Sequence, residues 1–270
     1  MFDELRDAPP ARLSVPILRA WDPADSLEAR ADADTGMPVL SGHFSKFGNW
    51  YRISSLYEGN FLERVAKGAF TKTITEGRAQ MRVLFQHGMD PQIGDKVLGP
   101  IETLQEDRQG PFYEVPLLDT SYNRDLAPGL LRGLYGASFR FEVVKDKWDH
   151  KPQRSEHNPD GIPERTITEA RVYEFGPVTW GANPEATATA RSMTDRYYDF
   201  LRTSSPDVFE GAVLAIRSSR TPAGPTTGAA TPDDEPREHS EVPVNEPRSI
   251  KAEALALARA RALAKQETPS

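Results

Sequence analysis

Proline placement divides this chain before any other feature does. A proline fixes its own φ, removes a backbone donor and biases the residue before it away from helix. A proline-dense stretch therefore holds neither a long helix nor a central strand. Pro9, Pro10, Pro16 and Pro23 fall within residues 1–36, among Asp, Ala and Arg, and predict a loosely ordered leader. Pro222, Pro225, Pro232, Pro236, Pro243 and Pro247 fall among Thr, Gly, Ala and acids. That composition buries too little apolar surface to offset its chain entropy, so residues 205–248 are expected to be a linker. Aromatic and β-branched residues concentrate between the two zones, which sets the folded domain at 37–204.

The last residues, 249–270, open with SIKAEALALARARALAKQ. Ser249 can cap a helix, and Ala, Leu, Lys and Arg are strong helix formers. Leu255, Leu257 and Leu263 make no wide apolar face, so this helix is expected to be marginal alone and ordered by a partner. It is basic, the linker before it is acidic, and such segregation suits an interaction tail.

Composition excludes several chemistries. The net charge of −7 argues against a protein that coats nucleic acid. With no cysteine there is no disulfide, thiolate metal site or cysteine nucleophile. The opening MFDELRDAPPARLSV has no apolar signal region, and no stretch approaches the roughly 20 apolar residues of a membrane span. A soluble, cytoplasmic protein is expected. None of the five histidines stands in HExxH or a cysteine–histidine spacing, and no phosphate-binding glycine loop is present. Neither a metal nor an organic cofactor is expected.

Within 37–204 most segments predict strands: Val39–Phe44, Trp50–Leu56, Met81–Phe85, Leu134–Val144 and Ile167–Trp180. Val97–Leu104 and Phe112–Leu117 flank Glu106–Gly110, a hairpin turn. Thr120–Arg132 is expected to be a helix stopped by Gly133, with Pro128 inside it. A polar loop with three prolines separates the last two strands. The fold class expected is mainly β (α+β), a barrel surrounded by a few helices.

Three kinds of side chain carry usable chemistry. His87 ends an apolar run and precedes Gly88, where an imidazole can emerge from a strand end and exchange a proton near neutrality. Ser138 lies in GLYGASFRFEVV, where Gly136 permits close backbone approach. A serine there is a nucleophile only if a base reaches its oxygen. It is not a GxSxG elbow. Glu169 and Glu174 could orient the imidazole. Period-two geometry puts Glu174 with Ala170 and Val172, and Glu169 on the opposite face.

Five segments, in order, resemble the prohead proteases of tailed phages, which are related in fold to the herpesvirus assemblins. They are ERVAKGAF (Glu63–Phe70), VLFQH (Val83–His87), LDTSYNRDL (Leu118–Leu126), LYGASFRF (Leu134–Phe141) and RTITEARVYEFGPVTWGANP (Arg165–Pro184). The resemblance covers residues 38–192 and departs from the family pattern at Arg140, at Phe175-Gly176-Pro177 and at Gly181. It implies an assemblin-like β-barrel serine endopeptidase with Ser138 as nucleophile, His87 as base and Glu174 as third member, Glu169 in reserve. Oxyanion donors are expected near Ser138 or in residues 177–183. The resemblance further implies self-processing, a homodimer, and as partners the major capsid protein and its scaffold segment, inside immature capsids in the host cytoplasm. Two other readings are an inactive capsid assembly module that keeps the fold, and a barrel that binds a small molecule.

Overall fold

A computed structural model describes residues 15–20, 27–179 and 193–220. Chain contacts divide the protein into Met1–Ala223 and Gly224–Ser270, and all described residues belong to the first unit. The described strands are β1 (Ile17–Ala20), β2 (Glu28–Ala31), β3 (Pro38–His43), β4 (Tyr51–Ser55), β5 (Gly59–Val65), β6 (Arg82–Val83), β7 (Thr103–Glu106), β8 (Pro111–Pro116), β9 (Gly136–Asp149) and β10 (Glu164–Val178). The described helices are α1 (Thr71–Gly77), α2 (Ser121–Leu130), α3 (Met193–Ser204) and α4 (Pro206–Arg220).

The domain is mainly β with a few helices, as the residue pattern predicts. One sheet runs β1-β9-β10-β5-β4, with β6 also paired to β10, and the other runs β2-β3-β8-β7. Neither is closed among the described strands, so the expected single barrel is corrected to two open sheets. The long antiparallel β9–β10 ribbon carries register shifts near Glu169 and between Val172 and Glu174. Such bulges bend a strand and raise its twist.

Aromatic side chains join the sheets. Phe44, just after β3, has its ring centroid 5.2 Å from Phe139 of β9 and 4.9 Å from Phe175 of β10. Tyr113 of β8 reaches Phe175 at 4.7 Å. All four are buried, and rings at such offsets add to what their burial contributes. With Phe139 and Phe175 committed to this core, alternation sends Ser138, Arg140, Glu174 and Gly176 to the other face of the ribbon.

Helix α2 begins at a Thr120 cap, whose hydroxyl accepts from the Asn123 amide at 3.4 Å. It ends where Gly133 takes φ +65°, with Gly133 N–H on Leu130 O and Leu134 N–H on Gly129 O. Those paired bonds are a glycine C-terminal stop. Pro128 sits in the last turn, where it has no N–H to give the Arg124 carbonyl one turn back, so the helix runs only two residues further.

Four segments differ from expectation. β1 and β2 lie inside the stretch expected to be a loose leader; β1 is an edge strand, where a preceding Pro16 is tolerated. β5 was not anticipated, because its buried Glu63 breaks the strand pattern. The strand expected over Val97–Leu104 starts only at Thr103, while β9 extends five residues beyond Val144, to Asp149. Residues 206–220, assigned to the linker, form α4: Pro206 occupies the first helical position after Ser205, and Ile216 is buried. Residues 1–14 of the leader, 221–248 of the linker and the tail 249–270 lie outside the described residues.

Candidate active site

The ribbon fixes two of the three chemical side chains. Gly176 pairs with Ser138, and Glu174 with Arg140 one step along the same face. Ser138 is fully buried and Glu174 is 1% exposed. Glu174 is buried like Ala170 and Val172, but the expected shared face is corrected: the register shift after Val172 leaves Val172 opposite Phe141 on the core face and Glu174 opposite Arg140 on the other.

His87 arrives by a different route. β6 pairs in parallel with β10 at Glu174 and Phe175, so the chain leaves the sheet beside the carboxylate. It then turns through three successive left-handed residues: Gln86 at φ +50°, His87 at +60° and Gly88 at +75°. For the two non-glycine residues this conformation is strained, and such strain persists only where the surroundings hold it. Here Met89 N–H bonds Gln86 O at 2.9 Å, and the Gln86 amide donates to the Thr179 hydroxyl at 2.6 Å, tying the turn to the end of β10. The turn folds the imidazole back over the ribbon, where His87 is 4% exposed.

The three groups form one chain. His87 Nε2 lies 2.7 Å from Ser138 Oγ, and His87 Nδ1 lies 2.7 Å from Glu174 Oε1. Glu174 Oε1 is also 3.4 Å from Arg140 Nε, and Oε2 has no hydrogen-bond partner among the described residues. The Arg140 side chain packs over the Tyr197 ring of α3 and donates to its hydroxyl at 3.0 Å. Glu169, the reserve candidate, lies elsewhere. It bonds Lys145 and is 3.7 Å from Lys72; the Lys145 bond holds its carboxyl below the usual range.

Ser138 has a second neighbour. β1 pairs antiparallel with β9, Ala20 opposite Ser138 and Arg19 opposite Phe139. The Ser138 hydroxyl donates to the Arg19 carbonyl at 2.8 Å. It has one hydrogen and two acceptors in reach, the carbonyl and the imidazole. While β1 is in place, the carbonyl competes with His87 for that proton.

The Arg19 side chain enters a buried acidic pocket. Its Nη1 and Nη2 fork onto Glu58 at 2.9 and 2.6 Å, and its Nε donates to Glu63 at 2.8 Å. Glu63, fully buried, also accepts from Arg165 at 3.2 Å and from Tyr51 at 2.6 Å, and Arg165 bonds Asp146 at 2.9 Å. Burial opposes charge on Arg19, but Glu58 and Glu63 outweigh it and hold the guanidinium well above its ordinary value. Burial would likewise raise the Glu63 carboxyl, but Arg19 and Arg165 hold it below the usual range.

Sequence reasoning named Ser138, His87 and Glu174, and the fold brings them together. It missed Gln86, Gly176 and Arg19. The partners of Arg19 lie about 40 residues away in sequence and left no local signal. Residues 180–183 of the loop expected to supply oxyanion donors lie outside the described residues. No group of three or more His, Asp or Glu side chains that could hold a metal ion occurs among the described residues. No described helix is long and apolar enough to cross a membrane.

A hydroxyl, an imidazole and a carboxylate in one hydrogen-bonded chain, on a mainly β scaffold, is the arrangement found in serine hydrolases. The family model described as Caudovirus prohead serine protease matches residues 25–198, more than half of the chain, and the protein belongs to that family. Among solved structures it is similar to the bacteriophage T4 capsid assembly protease, gp21, at 12% identity and a TM-score of 0.38, over 62% of this chain and 98% of that one. No curated protein matches the chain.

Proposed function

We propose that this protein is a serine endopeptidase that cleaves scaffold segments of the major capsid protein, and itself, during prohead maturation in the host cytoplasm. The observation that carries this reading is the buried chain Ser138–His87–Glu174, with both links at 2.7 Å. Ser138 Oγ attacks the scissile carbonyl carbon as its proton passes to His87 Nε2. The imidazolium then gives that proton to the leaving amine, and an acyl-enzyme remains on Ser138. Water, deprotonated by His87, releases the acid and restores the serine. Glu174 accepts from Nδ1–H, which fixes the tautomer that leaves Nε2 free to take a proton and stabilises the imidazolium.

Intact mass of the purified chain beside Ser138→Ala, each mixed with the cognate capsid protein, tests this. Wild type should shorten the capsid protein and itself, while Ser138→Ala leaves both at full length. Trimming that continues unchanged in the purified variant removes Ser138 from this role. A second reading, an inactive assembly module that keeps the fold, draws on the complete burial of Ser138 beneath β1. Full-length masses in every sample, with no labelling of Ser138 by a fluorophosphonate, would select it.

A further inference from the structure

β1 resembles a bound peptide more than a structural strand. It is four residues long, and it precedes residue 25, where the family match begins. One edge pairs with β9, the strand that carries Ser138. Its other edge is held by side chains of α3: the Thr194 hydroxyl bonds both Leu18 N–H, at 3.1 Å, and Leu18 O, at 3.2 Å, and the Tyr198 hydroxyl donates to Pro16 O at 3.2 Å. This is strand addition, in which the ladder supplies affinity and side-chain pockets supply selectivity.

We propose that β1 occupies a peptide-binding slot between β9 and α3, and that the Glu58–Glu63 pocket receives an arginine of an extended substrate, with Arg19 as resident occupant. The inference rests on the endopeptidase reading of Ser138. The chemistry of the pocket names its ligand. Among the described residues Glu58 pairs with Arg19 alone, and without Arg19 Glu63 would keep only Arg165, which it shares with Asp146. The empty pocket therefore calls for a cation. The fork onto Glu58 and the Nε bond to Glu63 fit a planar guanidinium, which a lysine ammonium does not reproduce. The carbonyl of that arginine lies at the Ser138 hydroxyl. An occupied slot covers the nucleophile and draws its proton away from His87, so the chain's own β1 holds the site closed until it withdraws.

The test uses the full chain. Arg19→Ala removes the side chain that anchors β1. A fluorophosphonate, from which Ser138 Oγ displaces fluoride, should label this variant about tenfold faster than wild type or more, because the open form is no longer a minor population. A fluorescent peptide of residues 16–20, PILRA, should bind Arg19→Ala at least about tenfold more tightly than the same peptide with Lys or Ala in place of Arg. Labelling of both proteins at equal rates, or equal affinities for the three peptides, overturns the proposal. Arginine-selective binding without labelling of any variant leaves the slot standing and removes Ser138 as nucleophile. Labelling without arginine selectivity does the reverse. Where Arg19→Ala fails to fold by circular dichroism, Arg19→Gln/Glu58→Gln carries the labelling measurement: faster labelling supports the slot and an unchanged rate overturns it.

Discussion

Gly176 stands against the main-chain carbonyl of Leu84: a Cβ built at Gly176 would meet Leu84 O at 2.0 Å. Leu84 N–H in turn bonds Phe175 O at 3.1 Å, so this contact docks the strand that leads into the His87 turn. Gly176 is also the ladder partner of Ser138. One methyl group would thus push apart the two segments that carry base and nucleophile. Gly176→Ala is expected to cost about 1–3 kcal/mol of stability by overpacking. It should lower turnover about 100-fold if the imidazole moves by about 1 Å. Thermal denaturation and cleavage of the capsid protein check the two effects. A variant with wild-type turnover would show that this approach does not position His87.

The two candidate glutamates of β10, Glu169 and Glu174, should separate cleanly. Glu174→Gln keeps the shape but can donate to Nδ1, which favours the wrong tautomer; turnover should fall about 10⁴-fold. Glu169→Gln removes only the pairing with exposed Lys145 and Lys72, and turnover should not change. Steady-state cleavage rates of the two variants decide it, and a large loss in Glu169→Gln would reverse the assignment.

The parts of this molecule that showed in the sequence are those with a local cause. The long β9 and β10, the hairpin around Glu106–Gly110 and the helix ended by Gly133 rest on alternation, turn residues and a left-handed stop. α4 was assigned to the linker although it carries a local signal: Ser205-Pro206 opens a run with Phe209, Ala212, Val213 and Ile216 at helical spacing. The dense prolines after residue 221 drew the linker boundary too early. β1 and β5 were not legible. ILRA becomes a strand by pairing with Ser138–Phe141, and β5 buries Glu63 only because Arg19, Arg165 and Tyr51 converge on it. The Ser, His and Glu positions were reached through the order of the motifs. Alternation and strand-end placement alone left them as ordinary residues.

Acid should unlock the Glu63 network. Its folded-state carboxyl titrates below the usual value, so its contribution is complete above about pH 4.3, the ordinary glutamate value. That contribution is lost as pH falls toward and through the lower folded value. Glu63→Gln at neutral pH leaves Arg19 and Arg165 with fewer partners and should cost about 3–5 kcal/mol, the effect of breaking a buried ion pair. Thermal midpoints of both proteins from pH 7 to pH 3 test this. The gap between them should be wide at pH 7 and begin to narrow as pH falls below about 4.3, the ordinary glutamate value. A gap that stays constant across the range would mean that Glu63 does not titrate with folding.

The left-handed turn at Gln86–Gly88 holds strain that the site requires. A left-handed conformation costs about 1–2 kcal/mol for each non-glycine residue, and Gln86 and His87 both adopt it. Gln86 is kept there by its bond to Thr179. Gln86→Val removes that bond and adds a branched Cβ where φ is +50°; stability should fall by about 1–3 kcal/mol and Ser138 should become unreactive. Gln86→Gly relieves the strain and should raise stability by up to about 1 kcal/mol, read as a higher thermal midpoint. Its loosened turn should still reduce turnover, because the tie to β10 is gone. The pair of variants thus moves stability in opposite directions and activity in the same one. Turnover that instead followed stability in both would show that His87 is placed by general packing and not by the Thr179 tie.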